Sequence, residues 1–187
     1  PDVYMNPTNM TIPQTVGRIG YFFHDHWNIS LGVDHMKYVI VPQQYTILDG
    51  YINLEDPISE FNGVYDNAPM YLDEDFLELE HTDGLNYINI EISRVDNLGD
   101  YLQWDSKKIQ VNILESFGIG VLCPKTNTTL LSKKRYDEYH FSGFGISLKG
   151  GINLTFFDHF FIQGEIKTGY LNMPNIRTTP STTDSAA

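Results

Sequence analysis

The sequence predicts an all-β chain of long antiparallel strands joined up-and-down. Three observations carry this: apolar residues alternate with small or polar ones over long runs, helical spacing of apolar residues is scarce, and Gly, Asn, Asp and His punctuate the runs. The first hairpin joins a strand at 14–23 to one at 27–40 through His24-Asp25-His26. In its second arm Trp27, Ile29, Leu31 and Val33 alternate with Asn28, Ser30, Gly32 and Asp34, and successive strand side chains point to opposite faces. A strand at 85–95 sets Ile88, Ile90 and Ile92 against Tyr87, Asn89, Glu91 and Ser93, and Phe76–His81 extends it backwards beyond Asp83-Gly84. At 108–122 the apolar phase is Ile109, Val111, Ile113, Phe117, Ile119 and Val121; Glu115 interrupts it, which calls for a bulge or a shifted register. The last hairpin pairs 139–157 with 160–173 across Asp158-His159. Phe144, Ile146, Leu148, Ile152 and Leu154 mark its oily side, and Lys149, Glu165 and Lys167 lie on the other.

Composition sets outer limits. The chain has 187 residues and reads as one domain, 1–187. With 12 Lys+Arg against 24 Asp+Glu its net charge is −12, so it has little with which to neutralise a phosphate backbone, and no nucleic-acid partner is expected. One cysteine, Cys123, excludes an internal disulfide framework and a multi-cysteine zinc site. The 11 Phe, 12 Tyr and 2 Trp argue against intrinsic disorder. No apolar run is long enough for a membrane-spanning helix.

An oily face on several consecutive strands has to be covered. A sandwich covers it with a second sheet, a soluble barrel turns it inward, and a membrane barrel turns it toward lipid. The polar faces carry Gly, Ser and Asn together with Arg18, Asp34, Glu91, Lys149, Glu165 and Lys167, a set of small side chains and opposite charges that suits a narrow polar lumen. Rings cluster at the tight turns, among them Tyr21, Phe23, Trp27, Phe156 and Phe160, where a membrane–water boundary would place them. The expectation is therefore an antiparallel up-and-down membrane β-barrel.

The segments Gly17–Tyr38 and Phe117–Met173 resemble small outer-membrane β-barrel proteins of Gram-negative bacteria, in pattern and not through a diagnostic motif. The resemblance implies a cell-envelope protein of the outer membrane, in contact with its lipid, with an even number of strands closed into a barrel. Residues 24–26, 96–107 and 158–159 then become periplasmic turns; 1–13, 41–84, 123–138 and 174–187 become outer loops. On that orientation 14–23 needs a strand before it and 160–173 one after it. The six strands thus belong to an eight-stranded barrel whose first and last strands lie outside this sequence. Eight strands leave room inside only for side chains, so the expected role is structural or binding, without an open pore, through the long external loops. Loop 41–84 sets Tyr45, Tyr51, Phe61, Tyr65, Tyr71 and Phe76 among many carboxylates and is the expected contact for an extracellular ligand or protein. It lacks a calcium-binding loop motif.

Two other readings stay open. One is a soluble lipocalin-like barrel that binds an apolar ligand. The other is a membrane-embedded hydrolase: His140-Phe141-Ser142 is similar to the His-x-Ser element of outer-membrane lipid A deacylases, with Ser142 as nucleophile and His140 as base, on the phase of Phe144 and Ile146. The family's Asn after Ser is Gly143 here, and Leu154 stands where an acid is expected, so the triad is incomplete and a catalytic role is not the main expectation. Asp34 with His81 is a second cross-strand candidate pair. His24, Asp25, His26, Asp158 and His159 could approach a metal but offer no third fixed ligand, so neither metal nor cofactor is expected.

Overall fold

The computed structural model describes residues 15–41, 43–103, 108–135, 138–157 and 159–178. Its elements in chain order are β1 (Val16–His24), β2 (Trp27–Val39), β3 (Gln44–Ile52), β4 (Gly63–Leu72), β5 (Leu77–Asn97), α1 (Leu98–Leu102), β6 (Ile109–Pro124), β7 (Asn127–Leu130), β8 (Lys133–Arg135), β9 (Gly143–Phe156) and β10 (Phe160–Asn172). The fold is all-β and its strand pairs are antiparallel. The main sheet runs β1-β2-β5-β6-β9-β10, with β7 attached to β5 and β8 to β7, while β3 and β4 form a separate two-stranded sheet.

Register decides what each face carries. Ile19, Leu31, Ile90, Ile119, Ile146 and Tyr170 are successive Cα partners across the six main strands. Every one is exposed, between 44% and 75%. The neighbouring row, Gly20, Ser30, Glu91, Gly118, Ser147 and Gly169, faces the other way, and Ser30, Glu91 and Ser147 in it are buried. The sheet is therefore inside-out relative to a water-soluble protein, with side chains of polar type enclosed and those of apolar type outside.

The enclosed face is concave. Adjacent strands lie about 4.8 Å apart, so a flat sheet would hold β10 far from β2; yet Lys167 of β10 bonds Asp34 of β2. Glycine allows the curl by giving up volume to its neighbours. A Cβ at Gly120 would land on the Ile88 carbonyl and within 2.7 Å of the Asn89 Cα, and one at Gly118 would come 2.9 Å from the Glu91 Cγ. Toward the end away from the tight turns, Leu85, Tyr87 and Leu122 form a small apolar plug with Met36, Leu171 and Met173 against it.

Several expectations need correction. Residues 41–84 and 123–138 are not simple loops: they hold the β3–β4 hairpin, the start of β5, and the β7–β8 hairpin. The 96–107 connection contains the single turn α1, capped by Asn97, whose side chain accepts from the Gly99 N–H. Glu115 causes neither bulge nor slip, because β6 keeps an unbroken register with both neighbours; it sits on the exposed face beside its Cα partner Arg94. The leader 1–13, residues 104–107, Asp158 and the end of the tail lie outside the described residues.

Replacing Gly120 with alanine is expected to cost about 1–3 kcal/mol through overpacking against β5. Gly150, where an added Cβ meets nothing within 4 Å, is expected to accept alanine without loss. Urea midpoints of the two variants in detergent check this.

Candidate functional site

The enclosed face is built around two carboxylates. Glu91, on β5 and 1% exposed, receives Arg18 Nη1 of β1 at 3.1 Å, Lys149 Nζ of β9 at 2.8 Å and Lys167 Nζ of β10 at 2.6 Å. Asp34 on β2 holds Arg18 Nη2 at 3.1 Å and also bonds Lys167. Glu165 stands 3.7 Å from Lys149. All six charged residues marked by the sequence thus meet in one cluster, three cations with three carboxylates, and the formal charges cancel. Such balance matters because an unpaired charge removed from water costs several kcal/mol.

Neutral groups complete the cluster. Asn89 donates to Asp34 Oδ2 at 3.1 Å, the Tyr87 hydroxyl donates to the Gly145 carbonyl at 3.1 Å, and Lys167 lies 5.0 Å from the centre of the Tyr87 ring. Nearer the tight turns Ser116 donates to Ser93 at 2.7 Å and Asn112 to Asn153 at 3.2 Å. Asn89 and Ser93 were visible in the sequence only as the small polar phase of their strand. A cavity of about 800 Å³ opens onto this face, lined by Arg18, Ser30, Ser93, Lys149, Gln163 and Glu165 among others. Apolar side chains, Val16, Phe22, Leu114 and Phe161 among them, line it as well.

Other candidates are separated. Asp34 pairs in register with Tyr87, whereas His81 lies opposite Tyr38, so Asp34 does not orient His81. His81 Nδ1 instead shares a hydrogen bond of 3.0 Å with Thr126. His140 and Ser142 are both buried, while Phe144 and Ile146 are exposed. The expected common phase is broken at Gly143, where β9 begins. Ser142 Oγ donates to the Leu122 carbonyl at 3.4 Å. The two His140 ring nitrogens face the Glu138 and Asn175 carbonyls at 3.2 and 3.0 Å, away from the Ser142 hydroxyl, which bonds the Leu122 carbonyl. His26 Nδ1 faces the Val95 carbonyl at 3.0 Å; among the described residues no three His, Cys, Asp or Glu side chains gather to hold a metal ion. Tyr21, Phe23, Trp27 and Phe160 are exposed at the tight-turn end, and the half-buried Phe156 places its ring 6.1 Å from that of Phe160.

No protein-family model, no curated protein and no solved structure matches the chain. Its assignment rests on the arrangement of its own residues.

Two outcomes follow from this geometry. Glu91→Gln strips three cations of their shared partner and is expected to destabilise by about 3–5 kcal/mol. Glu165→Gln, at the partly exposed rim of the cluster, is expected to cost under about 1 kcal/mol, and chemical denaturation of both variants measures the contrast. The second outcome concerns His81, opposite Tyr38 of β2 beyond the register shift in that pairing and one residue from the stretch of β5 that pairs with β7. Burial, helped by nearby His140, lowers its pKa from 6.5 to about 4. Between those values the unfolded chain binds a proton that the folded chain refuses, so this contribution is complete above pH 6.5 and is lost as pH falls toward 4. His81→Gln is expected to flatten that decline in a series of denaturation midpoints from pH 7 to pH 4.

Proposed function

We propose that this chain is a membrane-embedded antiparallel β-barrel of outer-membrane type, with a structural or binding role and no open pore. The observation that carries the reading is the exposed row Ile19, Leu31, Ile90, Ile119, Ile146 and Tyr170 across all six main strands. Rows on either side of it, such as Ile29, Ile92, Phe117 and Leu148, are exposed as well. In water such a continuous apolar surface would drive aggregation. In a bilayer it meets its preferred solvent, and the charged residues are on the side that lipid does not reach. On this outer surface Arg94 pairs with Asp96 at 2.6 Å, with Glu115 beside it on β6 and Trp27 beside it on β2, toward the tight-turn end where headgroups would receive them.

The same reading requires that the sheet have no open edge, because unpaired N–H and C=O groups are not tolerated in hydrocarbon. The outer sides of β1 and β10 are free of partner strands among the described residues. Since β1 and β10 run antiparallel to each other, either direct pairing or an added pair of strands closes the ring. We favour an eight-stranded barrel, in which two further strands pair with β1 and β10. The tight curl marked by the Lys167–Asp34 contact supports a barrel of small radius. The cancelled charges of the Glu91 cluster support an interior crossed by side chains at that level, with the cavity lying toward the tight turns.

Leu31→Arg and Ile119→Arg test the placement. In a bilayer each is expected to cost about 2–4 kcal/mol of folding stability near the midplane, read by denaturation from phospholipid vesicles. A wild-type chain that stays monodisperse in buffer without detergent and fails to float with vesicles would end this proposal.

A further inference from the structure

The β3–β4 hairpin has no third strand, and among the described residues it pairs with no part of the main sheet. An isolated two-stranded ribbon is marginal in water. It nevertheless displays Tyr45, Ile47, Tyr51 and Val64 at exposures of 68–86%. The two edges of the ribbon differ. β4 lacks an N–H at Pro69 and is interrupted at Asn67, which takes a φ of 47°, and both features obstruct strand addition. β3 contains no proline. Gly50, at a φ of 125°, interrupts β3 near the tip, so its regular edge runs from Tyr45 to Asp49 and presents backbone groups beside exposed side chains.

Charge selects the occupant. From Tyr38 to Ser93 there is no Lys or Arg, and the ribbon and its tip carry Asp49, Glu55, Asp56, Glu60 and Asp66, all exposed. A second copy would bring two acidic ribbons together, and an anionic lipid surface would be repelled in the same way. We propose that the free edge of β3 takes up an extended segment of another protein whose basic and apolar residues share one strand face, as Tyr45, Ile47, Asp49 and Tyr51 share one face of β3. That segment adds a third strand by backbone pairing, its cations meet Asp49, Asp66 and the tip carboxylates, and its apolar groups cover Tyr45, Ile47 and Tyr51. This deepens the binding role proposed above by naming the chemistry of the partner, and it rests on that reading only in placing the ribbon outside the bilayer.

The test uses the whole chain in detergent micelles and three fluorescent decapeptides with Thr at every second position: Lys-Val, in which Lys and Val take turns on the other face; Glu-Val, with Glu in place of Lys; and Lys-Pro, with Pro in place of Val, which keeps the charge but cannot pair as a strand. Anisotropy titration is expected to show binding of Lys-Val that weakens by about tenfold or more as salt screens it between about 0.05 and 0.3 M. Lys-Pro is expected to bind at least about tenfold more weakly. The Asp49→Asn/Asp66→Asn double variant and the Tyr45→Ser/Ile47→Ser/Tyr51→Ser triple variant are each expected to lose most of the affinity; Asp100→Asn, remote from the ribbon, is expected to retain it. Equal binding of Lys-Pro or Glu-Val, equal loss with Asp100→Asn, or dimerisation through the ribbon in sedimentation would each overturn the proposal. Vesicle flotation separates the two readings. A chain that binds Lys-Val in micelles but does not float loses the membrane assignment alone, and one that floats but ignores Lys-Val loses the docking edge alone.

Discussion

Glu91 and Asp34 are the pivot on which the enclosed face turns. Each carboxylate is taken out of water, and neither would tolerate that place without the cations that reach it from other strands. Arg18 comes from one edge strand and Lys167 from the other, so the pairing ties together strands that share no backbone hydrogen bonds. The backbone ladders hold neighbours side by side, but they leave the radius of curvature open. The cluster narrows that choice, since Lys167 reaches Asp34 only when the sheet is strongly rolled.

The same requirement explains the distribution of small residues. Long charged side chains directed into a narrow space need empty volume opposite them, and Gly118, Gly120 and Gly145 supply it facing Glu91, Asn89 and Tyr87. Sequence alternation in this chain is therefore a record of two constraints at once. One phase carries the exposed Ile, Leu, Val and Phe and, on the placement proposed above, answers to lipid. The other is set by packing around ion pairs, which favours Gly, Ser and Asn.

How much of this is legible in the sequence depends on which constraint dominates locally. The six main strands follow from alternation because both phases are strict there, and the charged cluster follows from its phase alone: Arg18, Asp34, Glu91, Lys149, Glu165 and Lys167 share the polar side of their strands. The β3–β4 hairpin escapes detection because its surfaces are mostly wet, and the irregularity between Leu48 and Gly50 breaks its period. β7 and β8 are short and polar, with no oily phase to reveal them. Glu115 looks like a fault in the pattern, but the register of β6 runs through it unbroken, with Arg94 as its Cα partner. His140 and Ser142 mislead for another reason: spacing of two fixes a shared side only inside a continuous strand, and β9 starts after them, at Gly143.

β5 is one chain segment of 21 residues, from the Glu91 cluster past a register shift against β2 at Gly84 to the pairing with β7 close to the β3–β4 hairpin. A pull on that hairpin is therefore transmitted lengthwise along one chain segment into the middle of the sheet. Backbone bonds flanking β5 would have to slide past one another together, instead of parting one by one from an end. An appendage mounted in this way is mechanically tied to its base, so whatever it grips is held by the resistance of the whole sheet to shear.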